Sequence, residues 1–305
     1  MSGLRTTGLT RRYGETEALK GIDLAIPEGS IYGLVGPNGS GKTTALEILA
    51  GLRRPTSGTI ELGVDREDLA YCPDVGEFEP WLSAREVLAS ATGLLGRPQS
   101  TTAIGEMLER VGLADTGNRH VGGFSRGMRS RLGLAAGLIG QPKLLIADEP
   151  AAALDPAGRE EIIDLIASLA GSVTVLVSSH DLADVERMCD QIGVLSNGEL
   201  VYQGPLAKLL AMAAPALRLV VRPPADQLIA AIAAEPWARS VTEEEPGALR
   251  IDISDAAAAE AALPGLLTAN HARLVALERA GVSLRDIFFE LTETGPAFSR
   301  SEAQR

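Results

Sequence analysis

The run Gly36-Pro37-Asn38-Gly39-Ser40-Gly41-Lys42-Thr43-Thr44 has the residue types and spacing to hold a triphosphate. Gly36, four residues, then Gly41-Lys42-Thr43 fits G-x-x-x-x-G-K-[ST]. Glycines let the backbone turn tightly, so that successive N–H groups point at phosphate oxygens. A helix expected from about Lys42 to Leu52 would aim its positive end at the same anion. Lys42 supplies a point charge for the terminal phosphates, and Thr43 a hydroxyl for Mg²⁺. The run also fits an ordinary glycine-rich turn. The apolar stretch Ile31-Tyr32-Gly33-Leu34-Val35 before it and the helical pattern after it favour the phosphate site.

A second group with chemical potential is Leu144-Leu145-Ile146-Ala147-Asp148-Glu149, an apolar strand ending in two carboxylates. A parallel strand places its C-terminal end at the ligand crevice. There Asp148 can hold Mg²⁺, directly or through water. Glu149 can orient or deprotonate a water for attack on a γ-phosphate. Ser179-His180 follows another buried strand, Val173–Val177, which places His180 at the same edge. Alone, the acids fit an exposed strand end and His180 fits a capping residue; paired with the phosphate loop, a site is favoured.

These groups need a framework of strands and helices. Short strands are expected over residues 4–34, with turns at Tyr13-Gly14 and Pro27-Glu28-Gly29, and further strands at Thr59–Leu62 and Leu69–Cys72. Ser83-Ala84-Arg85-Glu86 reads as a capping box. Helical patterns run on to about residue 138, one of them through Ile104, Met107, Leu108 and Val111. Helices are expected at Ala157–Leu169 and Asp181–Cys189, the latter with Asp184 and Glu186 on a solvated face. Asn197-Gly198 between two apolar runs reads as a hairpin turn. Alternating buried strands and helices imply an α/β fold, a parallel sheet covered on both faces.

Composition shifts near Ala211, with Pro215, Pro223 and Pro224 following. Beyond lie a strand at Leu217–Val221, a helix at Ala225–Ala234, strands at Ser240–Thr242 and Leu249–Ile253, a helix at Ala256–Ala269 weakened by Pro264, and a strand at Arg273–Leu277. That βαββαβ order is the ferredoxin-like pattern. A last helix is expected at Ser283–Thr292, then a polar, disordered tail over 294–305.

The chain has 305 residues and a net charge of −12, from 40 acidic and 28 basic residues. A phosphate backbone wants a basic face, so nucleic acid is excluded as the main partner. Two cysteines, Cys72 and Cys189, are too few for a disulfide framework and are expected as buried thiols in a reducing compartment. No secretory segment is visible, and the apolar runs fall short of the roughly 20 residues a bilayer requires. Any membrane role is expected to come through a partner.

In their order these motifs resemble those of the nucleotide-binding subunit of an ATP-binding cassette (ABC) transporter, over residues 4–205, about two-thirds of the chain. The resemblance implies a P-loop NTPase cassette over 1–210, with a mixed sheet core, an antiparallel β subdomain and a helical insertion at about 83–138. A small α+β domain, ferredoxin-like, would follow at 216–293. Tyr13 stands where the family stacks an aromatic ring on adenine. Phe124-Ser125-Arg126-Gly127-Met128 stands where the signature is usually L-S-G-G-Q. Ala153-Leu154-Asp155 corresponds to the D-loop, and His180 to the switch histidine that contacts the γ-phosphate. Leu284-Arg285-Asp286-Ile287-Phe288-Phe289-Glu290-Leu291-Thr292 is similar to the L-x-D-[VI]-F-x-x-L-T close of the exporter branch.

Three departures stand out. After Tyr71-Cys72-Pro73, the family's Q-loop glutamine is replaced by Asp74, which can bind Mg²⁺ but cannot donate a hydrogen bond when ionised. Arg126 and Met128 replace the usual signature glycine and glutamine, while Ser125 and Gly127 remain. Ala152 and Ala153 stand where Ser and Gly are common. The implied activity is hydrolysis of ATP with Mg²⁺, using Lys42, Glu149 and His180. Two cassettes, identical or not, would meet head to tail, so that Ser125 and Gly127 of one cap the nucleotide of the other. The implied partner is a separate integral membrane permease, expected to be an exporter, with this chain at the cytoplasmic face of the cell membrane. A soluble ABC ATPase and a weakly active regulatory cassette are the alternatives.

Overall fold

In the computed structural model, the described residues are 2–212, 216–222 and 226–280, with Leu284, Ile287, Phe288 and Leu291 beyond them. They divide into two compact units, one of the described residues up to Leu206 together with Leu291, the other of those within Ala207–Glu290.

The first unit opens with β1 (Ser2–Tyr13), β2 (Thr16–Ile22), β3 (Ala25–Pro27), β4 (Ile31–Val35) and α1 (Lys42–Leu49). Next come β5 (Ser57–Leu62), β6 (Leu69–Cys72), α2 (Ala84–Leu94), α3 (Thr101–Arg110) and α4 (Arg126–Ile139). Then β7 (Leu144–Ala147), α5 (Pro156–Ala167), β8 (Thr174–Ser179), α6 (Leu182–Met188), β9 (Gln191–Ser196) and β10 (Glu199–Pro205) complete it. The helix α7 (Leu206–Met212), which starts at the last residue of the first unit and continues into the second, was not foreseen from the sequence. The second unit has β11 (Ala216–Arg222), α8 (Asp226–Ala233), β12 (Ala238–Glu245), β13 (Ala248–Ile253), α9 (Ala256–Ala269) and β14 (Arg273–Ala280).

Two sheets build the first unit. β2, β1 and β3 lie side by side, β5 pairs with β1, and all these pairings are antiparallel. The larger sheet runs β10-β9-β4-β8-β7-β6. Its strands from β9 to β6 are mutually parallel, and β10 closes it antiparallel through the Asn197-Gly198 turn. Both turn residues have positive φ, 49° and 81°, the combination a two-residue hairpin needs for its twist. Every residue of β4, β7 and β8 is buried, as expected of strands with both faces covered. One core unites Leu4, Leu9 and Leu19 of the small sheet with Leu34, Ile146, Leu176 and Leu195 of the large one and Leu46 of α1. Consecutive parallel strands therefore end along one line, and the loops leaving β4, β8, β7 and β6 emerge side by side.

The helices α2, α3 and α4 pack together. Ser83 and Glu86 close the expected capping box: Glu86 N–H donates to Ser83 Oγ, and Ser83 N–H donates to Glu86 Oε2. Ile104, Met107, Leu108 and Val111 are buried, as their spacing requires. One expectation fails. Asp184 is buried rather than solvated, because Arg159 of α5 reaches it at 2.8 Å and also binds Asp181. A capping acid three residues away gave no hint of a cation arriving from another helix.

The second unit has its own core. Residues 217, 219 and 221 of β11 and 249, 251 and 253 of β13 alternate inward. They meet Leu228 and Ile232 of α8 and Ala259, Leu263 and Leu267 of α9. Its sheet runs β12-β13-β11-β14, antiparallel throughout. The helix α9 continues through Pro264. Of the last helix expected at Ser283–Thr292, the four described residues are helical, and Leu284, Ile287 and Leu291 are buried. The rest of that segment and the tail over 294–305 lie outside the described residues. Among the described residues, no helix is long and apolar enough to cross a membrane. Replacing Ser83 with Ala removes the side-chain half of the capping box, the acceptor for Glu86 N–H, and leaves the backbone N–H of residue 83 to Glu86. The loss expected is about 1 kcal/mol of unfolding free energy, measurable by urea titration.

Candidate phosphate and metal site

The loop after β4 is shaped by what surrounds it. A Cβ on Gly36 would sit 2.2 Å from the Leu195 carbonyl oxygen and 2.5 Å from Ser40 Oγ. Gly41, which caps α1, has φ 107°, and a Cβ there would meet the Ala18 carbonyl at 2.6 Å. Gly39 has φ 81° and faces open space. Only glycine fits the first two positions, so the loop wraps tightly over the start of α1. Ser40 Oγ is buried without a hydrogen-bond partner. Such an orphaned hydroxyl inside a glycine cradle fits a site built for a polar ligand.

Lys42 begins α1 and lies back under the loop. Its Nζ donates to the carbonyls of Gly36 at 2.7 Å and Pro37 at 3.2 Å. Burial lowers its pKa, while the charges of Glu149 and Asp148 act to raise it. The cation is thus partly stripped of water beside two carboxylates that come from another strand.

Those carboxylates follow β7. Asp148 is 4% exposed, and its N–H donates to the Cys72 carbonyl at 2.8 Å, extending the β6–β7 pairing. Ser178, at the end of the neighbouring β8, donates its hydroxyl to Asp148 Oδ1 at 2.5 Å and accepts the Glu149 N–H at 2.9 Å. Glu149 has a left-handed backbone, φ 49°. In a non-glycine residue that geometry persists only where neighbours over-determine it, and it clusters at functional sites. The Glu149 carboxylate is 2.7 Å from Nδ1 of His180. Ser178 was missed in reading the sequence; the hint was a hydroxyl at the end of an otherwise apolar strand.

Tyr13 ends β1 and is 39% exposed, with the Arg11 guanidinium 4.5 Å from its ring centroid. Partial burial would raise the Tyr13 pKa, but hydrogen bonding to Arg11 and Thr44 and the charge of Arg53 outweigh it, leaving a net lowering. Ser125 caps α4 and accepts the Met128 N–H at 3.2 Å. A Cβ on Gly127 would meet the Ala153 carbonyl at 2.9 Å, so this helix start packs directly on the segment Ala153-Leu154-Asp155. Ser125, Gly127 and Met128 line a cleft with those three residues and Arg131, a cleft unforeseen from the sequence. Arg131 reaches Asp155 at 3.8 Å and Glu161 at 2.9 Å.

Asp74 lies two residues beyond β6 and accepts a bond of 2.7 Å from Arg126. Among the described residues, no three His, Cys, Asp or Glu side chains form a metal-holding group. Thr43 and Asp148 are the residues suited to magnesium shared with phosphate, an ion bound mostly by oxygen, water and ligand. Cys72 is buried and donates to the Gly133 carbonyl at 3.3 Å; burial pushes its pKa up to about 12. Cys189 is buried too, its pKa likewise raised.

Comparison with known proteins agrees with this arrangement. The ABC transporter family model matches residues 19–152. An uncharacterized ABC transporter ATP-binding protein of Bacillus subtilis (strain 168), YxlF, is 43% identical over 212 residues, 68% of this chain and 72% of its own. The daunorubicin resistance ATP-binding protein DrrA3 of Streptomyces coeruleorubidus is 34% identical over 298 residues, 94% of this chain and 91% of its own. Among solved structures, the dimeric post-hydrolysis state of an ATP-binding cassette with ADP and Pi matches with TM-score 0.61 and 28% identity, covering 67% of this chain and 98% of that one.

Replacing Ser178 with Ala leaves the Glu149 N–H and one Asp148 oxygen without their partner. A loss of about 1–3 kcal/mol in unfolding free energy is expected by chemical denaturation.

Proposed function

We propose, from the premise that this chain belongs to the ATP-binding subunits of ABC transporters, that it hydrolyses ATP to drive a separate membrane permease. The observation that carries the reading is the convergence of Lys42, Asp148, Glu149 and His180 on adjoining strand ends. An exporter is the favoured permease, since relatives include a daunorubicin resistance protein that aligns with 94% of this chain. The chain would then work at the cytoplasmic face of the cell membrane, held there by its permease.

In this reading the Gly36–Thr44 backbone and Lys42 bind the phosphates, and Tyr13 stacks on the base. Thr43 and Asp148 hold Mg²⁺, which when bound supplies charge neutralisation at the phosphate oxygens. Glu149 orients the attacking water, and His180 fixes the Glu149 carboxylate and faces the terminal phosphate. Positioning and charge stabilisation carry most of the rate in such a transfer. Ser125, Arg126, Gly127, Met128 and Asp155 meet the nucleotide of a second cassette, and closure of the pair excludes water. Residues 1–210 form the ATPase domain, with residues 83–138 as its helical insertion. For 216–293 we propose a ferredoxin-like accessory domain, supported by the βαββαβ order and the strand order β12-β13-β11-β14.

The permease is proposed to dock on the segment leading into α2. Phe78, Pro80, Trp81 and Leu82 cluster there in a chain with only 4% aromatic residues, Trp81 being 65% exposed, and exposed apolar groups clustered in this way commonly mark a contact surface.

Two measurements test the reading. Glu149→Gln should bind ATP with Mg²⁺, turn over at least 100-fold more slowly, and run as a dimer on sizing. An unslowed ATPase places the general base elsewhere. Trp81→Ala should weaken co-purification with the permease by more than it lowers ATPase without the permease. Intact docking with reduced ATPase would remove Trp81 from the contact.

A further inference from the structure

Asp74 and Arg126 both depart from the resembled motifs, and they meet. They are 52 positions apart in sequence, yet Arg126 Nη2 lies 2.7 Å from Asp74 Oδ2. Arg126 is the first residue of α4, whose first turn holds no acid. A cation at a helix N-terminus opposes the positive end of the dipole, so a counter-charge must come from outside the helix. Asp74 supplies it from the end of β6. The other Asp74 oxygen, Oδ1, is buried with no hydrogen-bond partner, so the carboxylate is only half satisfied where it lies. Both side chains are partly open to solvent, 61% for Arg126 and 40% for Asp74. An exposed pair of this kind shifts an equilibrium by about 1.4- to 5-fold. A phosphate group can offer Arg126 two charge-assisted bonds in a matching fork, a stronger claim on the same guanidinium.

We propose that Asp74 is a positioning residue for Arg126, and that it competes with nucleotide phosphate for that guanidinium. While the pair is closed, Asp74 turns the Arg126 charge toward β6 and anchors the segment 73–82. When phosphate of a facing cassette takes Arg126, the segment carrying Trp81 loses its anchor. This rests on the reading of α4 as the cap of a second subunit's nucleotide. The balance therefore has a definite sign: removing the Asp74 charge favours nucleotide-driven pairing of cassettes, and removing the Arg126 charge disfavours it.

The test uses the full chain in a Glu149→Gln background, titrated with ATP and Mg²⁺ while dimer is followed by sizing. Asp74→Asn should lower the ATP midpoint by about 1.4- to 5-fold, and Arg126→Gln should raise it. With Arg126→Gln present, Asp74→Asn should have no further effect, and Asp74→Glu should behave like its parent. Additive effects, or shifts of both single variants in one direction, overturn the competition. Hydrogen exchange over residues 73–82 without nucleotide, in the otherwise unaltered chain, tests the pair by itself. Equal acceleration in Asp74→Asn and Arg126→Gln supports it, and unchanged rates overturn it. A Glu149→Gln chain that stays monomeric with ATP overturns the function of α4 and with it the competition, while the exchange rates still decide the anchor.

Discussion

The hydroxyl of Ser178 ties the chemistry of this protein to its sheet. It donates to the Asp148 carboxylate and accepts from the Glu149 amide, so one side chain of β8 fixes the two consecutive residues that follow β7. A hydroxyl has one proton to give and lone pairs to receive, and here both roles are filled. The left-handed backbone of Glu149 costs about 1–3 kcal/mol unless its surroundings enforce it. The Ser178 contact and the His180 ring are the enforcing groups. All of this depends on β8 running between β4 and β7, because only then do the phosphate loop, the serine and the acid pair emerge from neighbouring strands.

Much of that arrangement is legible in the sequence, for local reasons. The strands β4 and β7 and the centre of β8, Val175–Val177, are apolar runs, and glycine spacing marks the phosphate loop. The capping box at Ser83 and the hairpin at Asn197-Gly198 are short-range patterns with direct physical causes. What escaped is what depends on partners distant in sequence. Asp184 reads as one more acid on a helix surface until Arg159 is brought to it from α5. Ser178 reads as the polar end of a strand until β7 is laid beside it. Asp74 and Arg126 read as two separate oddities, and only the fold joins them. Spacing along one element is visible in a sequence, whereas juxtaposition between elements is not.

The electrostatics have an economy of their own. A chain of net charge −12 carries a site suited to a polyanion without any broad basic face. It concentrates attraction in one buried lysine, in glycine-loop N–H groups and in the starts of α1 and α4. Short-ranged donors of this kind act only on an anion seated among them. Long-range steering is correspondingly weak, which suits a ligand present at high concentration better than one that must be gathered from afar.

The burial of Cys72 and Cys189 has a practical side. Burial pushes the Cys72 pKa up, and the thiolate is the species that alkylates. The Cys189 thiol is shielded the same way. Burial and a raised pKa together disfavour reaction of either thiol with maleimide reagents in the folded protein. A spin label or fluorophore placed on a single introduced surface cysteine would report its own position against a low background from the native sulfur.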